Sequence, residues 1–226
     1  MIRAVIFDMY ETLITHYECP LYFSKEMAYD AGVTREQFIK YWYPLEYDRS
    51  IGKITLEEAI EIVLKGLNRY SDELHAKIVS KRKEIKKECF NHMHEEIIPM
   101  LQALKEKGYR IGLISNCFSE ETECIRESAL YPFFDAPFLS YEQGVAKPEE
   151  EIFIRCVNAL GVSCEECVYV GDGGSHELEV AEKLKMHPLQ AVWYLKEGSS
   201  QPKQRMEGYV HIENPIGLLD YLYKNV

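Results

Sequence analysis

Five short apolar runs recur along the chain: AVIFD at 4–8, IGLIS at 111–115, APFLS at 136–140, CVYVG at 167–171 and AVWYL at 191–195. Helix-patterned stretches such as EEIIPMLQALKEKG and EEEIFIRCVNALG stand between most of them. Strands that are apolar throughout cannot leave one face in water, so this alternation predicts an α/β fold whose parallel sheet is covered by helices on both sides.

The rhythm breaks between about residue 15 and residue 90, where helical patterns occur without a strand. Thr34 with Gln37, and Thr55 with Glu58, have the spacing of capping boxes, in which a hydroxyl and a side chain three residues on satisfy free backbone N–H groups. Gly32 is placed to end one helix and Pro44 to kink or stop another. The expectation is a helical insert of about four helices after the first strand. GSSQPKQ at 198–204 reads as a surface loop.

Length supports a main domain with a smaller insert, because 226 residues exceed one ordinary domain and fall short of two. With 46% hydrophobic and 28% charged residues, the chain can pack a core. Its start, MIRAVIFD, lacks a basic segment followed by a long apolar core, so the seven cysteines are expected reduced in a cytoplasmic protein. No apolar run approaches the roughly 20 residues that span a bilayer. A formal charge of −11 argues against broad nucleic-acid binding, and an anionic substrate would need a local positive site. The sequence carries no signal for oligomeric state.

Three of the apolar runs end on polar groups: Asp8, then Ser115 and Asn116, then Asp172. The carboxyl ends of strands in an open parallel sheet share one edge, and ligands bind in the crevice outside it. Two carboxylates brought together there repel unless a cation lies between them, and oxygen ligands suit Mg²⁺.

In order, the motifs DMYET (Asp8, Thr12), SN (Ser115, Asn116), KP (Lys147, Pro148) and GDGGSHE (Asp172, Glu177) resemble those of the haloacid dehalogenase superfamily of hydrolases, and they cover nearly the whole chain. The resemblance implies a Rossmann-like core of residues 1–15 and 91–226 and a type 1 helical cap of residues 16–90. It implies that Asp8 is the nucleophile, that Ser115 and Asn116 hold the transferring group, and that Lys147 neutralises charge on that group and on Asp8. It further implies Mg²⁺ bound by Asp8, Asp172 and the backbone carbonyl of Tyr10, with Glu177 orienting metal-bound water or supporting the ligands. A phosphatase acting on a small phosphorylated substrate through an aspartyl-phosphate is the activity expected.

Tyr10 complicates that expectation. Most phosphatases of the family carry an aspartate there, which protonates the leaving alcohol and activates water. A phenol with an ordinary pKa near 10 is a possible acid and a poor base. The 2-haloacid dehalogenases often have a tyrosine there, which keeps carbon chemistry open as an alternative. They work without metal and lack the metal-binding aspartate kept here as Asp172. In their caps an arginine stands four residues before a Leu-Glu-Tyr like Leu45–Tyr47, where this chain has Tyr41. Glu11 replaces the glycine common to both groups. His16 and Glu18 are candidate substitutes for the acid/base, with solvent-facing linker residues as the commoner outcome. A weakly catalytic phospho-ligand-binding protein is a third reading. Phosphonate cleavage is a fourth, for which Lys25, Lys40 and Lys53 have no recognisable setting.

Other signals are weaker. Cys164 and Cys167 form a C-x-x-C without a second pair and read as a plain loop. Cys117 is expected to act by its bulk near the pocket. His92 and His94 read as structural residues marking the return from the insert, and Tyr41, Tyr43 and Tyr47 as packing groups. Arg49 could reach a substrate anion, but a surface ion pair is the commoner fate. KRKEIKK at 81–87 reads as a solvated helix face.

Overall fold

The structure, a computed structural model, describes residues 1–195 and 204–225. Among the described residues six strands form one sheet: β1 (Ala4–Phe7), β2 (Arg110–Ser115), β3 (Ala136–Leu139), β4 (Cys167–Gly171), β5 (His187–Ala191) and β6 (Val210–Ile212). Their order is β3-β2-β1-β4-β5-β6, with every neighbouring pair parallel. This is the predicted Rossmann-like α/β fold. The strand order reverses between β1 and β4, which opens a crevice at their carboxyl ends.

Alternate residues of each strand enter opposite layers, because side chains switch faces at every step. Five of the described α-helices lie between β1 and residue 90: α1 (Ser24–Asp30), α2 (Arg35–Trp42), α3 (Glu46–Ser50), α4 (Leu56–Gly66) and α5 (Asp72–Glu88). The other six are α6 (Ile97–Glu106), α7 (Ser119–Glu127), α8 (Ser140–Gln143), α9 (Glu150–Leu160), α10 (Glu177–Lys183) and α11 (Gly217–Asn225). Val5, Phe7, Leu113 and Val170 pack with Leu101 of α6 and Leu218 of α11. Ala4, Ile6, Ile114 and Tyr169 pack with Phe153 of α9 and Leu178 of α10. Both faces of the sheet are thus covered.

Helices α1, α2, α4 and α5 share an apolar core of their own, built on Met27, Phe38, Leu56, Ile60, Val63 and Ile78. Both predicted capping boxes form, with the Gln37 and Glu58 N–H groups donating to Thr34 and Thr55. Gly32 takes the left-handed conformation just after α1 (φ +68°), and Pro44 lies in a 3₁₀ turn, Tyr43–Leu45, that separates α2 from α3. The count of about four helices falls one short, because α3 is only five residues long.

Three expectations need correction. The fifth strand is His187–Ala191 rather than 191–195. Trp193 and Tyr194 instead clamp the loop after β1, donating hydrogen bonds to the carbonyls of Thr12 (2.8 Å) and Leu13 (3.2 Å). Pro188 has no N–H to pair, which weakened the true strand in the sequence. Second, KRKEIKK is not wholly solvated, since Arg82 and Lys86 are buried. Third, Arg49 makes no surface ion pair. It is 1% exposed, lies between the rings of Trp42 and Phe118 (3.9 Å to each centroid) and pairs with Glu120 at 3.2 Å. Most of GSSQPKQ, read as a surface loop, lies outside the described residues.

These buried charges join the helical insert to the sheet layer. Glu120 also receives Arg82 at 2.6 Å, and Glu121 receives Lys86 at 2.6 Å. The Leu56 N–H donates to Ser119 Oγ (2.9 Å), and Ser140 Oγ donates to the carbonyl of Ser50 (2.7 Å). Gly52 (φ +77°) approaches so closely that a Cβ there would stand 2.1 Å from the Tyr141 carbonyl oxygen. The insert is therefore fastened over α7 and α8, beside the carboxyl edge of the sheet.

Candidate active site

β1 and β4, central and fully buried, deliver Asp8 and Asp172 one residue beyond their ends. The Asp8 N–H donates to the Val170 carbonyl at 2.9 Å, which carries the sheet pairing up to the carboxylate itself. α10 brings in Glu177, whose carboxylate lies against Gly171 so tightly that a Cβ there would collide with it. One oxygen from each of Asp8, Asp172 and Glu177 lies within 4.8 Å of the others, and among the described residues no other group of three such ligands occurs. All three are buried, and Glu177 is fully so.

Lys147 supplies the positive charge. Its ammonium donates to Asp8 Oδ1 at 2.6 Å and closely to Glu177, and lies 3.4 Å from the Tyr169 hydroxyl. Tyr169 in turn donates to Glu177 Oε2 at 2.9 Å. Burial alone would discourage the charge on Lys147, but Asp8 and Glu177 outweigh that and hold its pKa above the ordinary value. Asn116 fixes the lysine through its backbone: the Lys147 N–H donates to Asn116 Oδ1 (2.7 Å), and Asn116 Nδ2 donates to the Lys147 carbonyl (2.8 Å). The Lys147–Pro148 peptide is cis.

One ammonium against three carboxylates leaves two negative charges unmatched when all are ionised. The titration of the cluster reflects this. Burial, and after it the charge on Asp8, pushes Asp172 up to about 7. Burial likewise raises Asp8 and Glu177 in spite of Lys147. A set of carboxylate oxygens with surplus negative charge fits a hard divalent cation.

Ser115 Oγ and Thr12 Oγ1 are buried without a hydrogen-bond partner among the described residues. Buried hydroxyls left open in this way are the exception in folded proteins and mark places where a ligand can be received. Backbone strain collects at the same edge. Glu11, Ser175 and His176 all take left-handed φ values of 59°, 52° and 54°, and Ser175 Oγ lies 3.3 Å from Asn116 Nδ2.

Tyr10 and His16 depart from simple expectation. The Tyr10 ring stacks on His16 (centroids 4.4 Å apart, 11° between planes), and its hydroxyl is buried without a partner among the described residues. Burial drives its pKa well above the ordinary value, which makes the phenol a weaker acid still. His16 is no solvent-facing linker residue. Its Nε2 accepts from the Lys86 ammonium at 2.6 Å, and its Nδ1 lies 3.3 Å from Glu11 Oε1. Burial and the Lys86 charge lower its pKa, and the ammonium at Nε2 favours the tautomer with its proton on Nδ1, facing Glu11. Glu18 is exposed.

Cys117 is buried behind Asn116, where burial pushes its thiol up to about 12. Cys164 opens a 3₁₀ turn and Cys167 begins β4, both as free thiols. His92 pairs with Glu88 at 3.0 Å, and the His94 N–H donates to the Tyr194 hydroxyl at 2.7 Å. Tyr169 and the α7 pair Glu120 and Glu121 were missed by sequence reasoning. Tyr169 sits inside an apolar run, and two acids in a first helical turn look like ordinary helix-end residues.

Residues 2–184 match the family model described as haloacid dehalogenase-like hydrolase. A glyceraldehyde 3-phosphate phosphatase of Methanopyrus kandleri is 33% identical over 94 residues, 41% of this chain and 40% of that relative. The chain spans about 40% of the length of the first relatives it matches. A phosphoglycolate phosphatase of Aquifex aeolicus is 26% identical over 203 residues, covering 88% of this chain and 90% of its own. The crystal structure of a 2-haloacid dehalogenase from Pseudomonas syringae pv. Tomato DC3000 superposes with a TM-score of 0.69, at 20% identity and full coverage of both chains. That likeness is one of fold.

Proposed function

This chain belongs to the haloacid dehalogenase-like hydrolases, and on that premise we propose that it is a Mg²⁺-dependent phosphatase acting on a small phosphorylated metabolite. The observation that carries the reading is the buried trio Asp8, Asp172 and Glu177, over-charged relative to its single lysine. Asp8, Asp172 and the backbone carbonyl of Tyr10 would hold the ion, with Glu177 supporting it. When bound, the ion supplies positive charge to the phosphoryl oxygens.

The chain's own residues account for the rest. Asp8 attacks phosphorus, the P–O ester bond breaks, and water then hydrolyses the acyl phosphate to restore the carboxylate. Lys147 favours the ionised form of Asp8 and offsets charge on the phosphoryl group. Ser115, Thr12 and Asn116 are the polar groups that would orient that group. Residues 16–90 act as a cap on a core of 1–15 and 91–226, excluding water during the first step. With the Tyr10 phenol buried and its acidity weakened, substrates whose leaving group departs without a proton, acyl and aryl phosphates, suit the site best. The similarity to proteins named glyceraldehyde 3-phosphate phosphatase and phosphoglycolate phosphatase supports a small phosphorylated metabolite as the substrate class.

The Asp-x-Tyr sequence at Asp8 and Tyr10 favours a second reading, displacement of halide from a 2-haloacid. A panel of acyl, aryl and sugar phosphates assayed with Mg²⁺ and with chelator separates the two. Phosphatase turnover that needs Mg²⁺, and falls at least about 10³-fold in Asp8→Asn, is expected. Metal-independent halide release from 2-chloropropionate, with no phosphatase activity, contradicts the proposal.

A further inference from the structure

The chain crosses between the sheet layer and the helical insert twice, and a cysteine stands on each crossing. Cys19 lies on the outgoing segment between β1 and α1, and Cys89 opens the 3₁₀ turn Cys89–His92 that leaves α5 on the return. The residues are 70 positions apart, yet their sulfurs lie 2.8 Å from each other. A disulfide bond requires about 2.05 Å between sulfurs, so a small shift of either side chain closes it.

The surroundings suit reversible oxidation. Cys19 is half-buried and Cys89 buried, and both line a small pocket of about 10 Å³ with Ile85 and Lys86. The Sγ atoms also donate weakly to backbone carbonyls, Cys19 to His16 at 3.1 Å and Cys89 to Ile85 at 3.3 Å. Cys19 is the more exposed of the two, which makes it the sulfur that meets an oxidant first.

We propose that Cys19 and Cys89 form a reversible disulfide that clasps the base of the helical insert and restrains its movement. With a peroxide as oxidant, the Cys19 thiolate attacks one peroxide oxygen. The O–O bond breaks, a sulfenic acid forms and the other oxygen leaves as water. Cys89 then attacks the Cys19 sulfur, forming the S–S bond and expelling the second water. The two thiols give up two electrons and two protons, and the peroxide takes them. A dithiol reductant reverses the change. Joined in this way, the two crossings can no longer separate or twist independently, whereas the sheet and its carboxylates are untouched.

The test treats the full chain with hydrogen peroxide, maps non-reduced peptides by mass spectrometry and follows amide hydrogen exchange at Leu56, whose N–H bonds to Ser119 across the seam. Expected are a predominant Cys19–Cys89 linked peptide that disappears with dithiothreitol, and exchange at Leu56 several-fold slower in the oxidised protein. The slowing should be absent from Cys19→Ser and Cys89→Ser treated alike. Sulfinic acid at Cys19 without a linked peptide, a different predominant pairing, or a linked peptide with unchanged exchange would each overturn the proposal.

Discussion

Lys147 decides whether the acidic cluster can exist in the folded chain. It is the ammonium shared by Asp8 and Glu177, both buried, and its removal leaves two carboxylates without a counter-charge. Lys147→Met is expected to destabilise the metal-free protein by about 3–5 kcal/mol, measured by urea denaturation at neutral pH. The sign of its pH dependence follows from burial. Both carboxylates already titrate above their ordinary values, and losing the lysine raises them further. The folded state then holds protons that the unfolded state releases, so the variant recovers stability as pH falls and loses it as pH rises. A deficit that does not shrink on acidification contradicts this account. At this scale the sequence made Asp8, Ser115, Asn116, Lys147 and Asp172 visible, because each stands at a strand end or in a motif of fixed spacing. It also marked Glu11 as standing where relatives have glycine, and the left-handed φ of 59° explains that preference. What makes a glutamate acceptable there lies in the fold: its carboxylate accepts from the Thr15 hydroxyl and the His16 N–H.

Among the elements, α7 has a double role. Its first turn follows directly from the Ser115–Asn116 strand end, and the acids in that turn anchor the insert through Arg49, Arg82 and Lys86. Glu120→Ala would strand two buried guanidinium groups, with an expected loss of about 3–5 kcal/mol. Limited proteolysis of the variant should cut first at the connections into the insert. Cutting indistinguishable from the wild type would refute the anchoring role. Glu121 adds a pH signature: burial would raise its pKa, but Lys86 and Arg82 outweigh that and hold it down to about 2. A depressed carboxylate stabilises the fold above its unfolded value near 4.5 and loses that contribution as pH falls toward 2. Melting temperature should therefore drop over that window in the wild type and less steeply in Glu121→Gln. The helices themselves were legible from local signals, as the Thr34 and Thr55 boxes demonstrate. The seam was not, because Arg49 and Glu120 are 71 residues apart and each reads locally as an ordinary surface charge.

For the whole molecule, the alternation of apolar runs with helices determined the class of fold, while strand order and the fifth strand needed tertiary contacts. His187–Ala191 contains a proline and two polar residues, the exposed His187 and the buried Gln190, so it reads poorly as a strand, and Trp193 and Tyr194 look strand-like but serve as clamps on the β1 loop. The convergence of Asp8 and Asp172 follows from adjacent parallel strands, and the place of Glu177 beside them depends on Gly171 leaving room. The net charge of −11 works against anion binding, so on the proposed function the site would attract a phosphoryl group through Lys147 and a cation. Calorimetric titration of Mg²⁺ into the wild type and Asp172→Asn tests this most directly. Expected are one site in the wild type at pH 8, weaker binding at pH 6 because protons compete for Asp172, pushed up by burial to about 7, and at least about tenfold weaker binding in the variant. Equal Mg²⁺ affinity in the two proteins would contradict it.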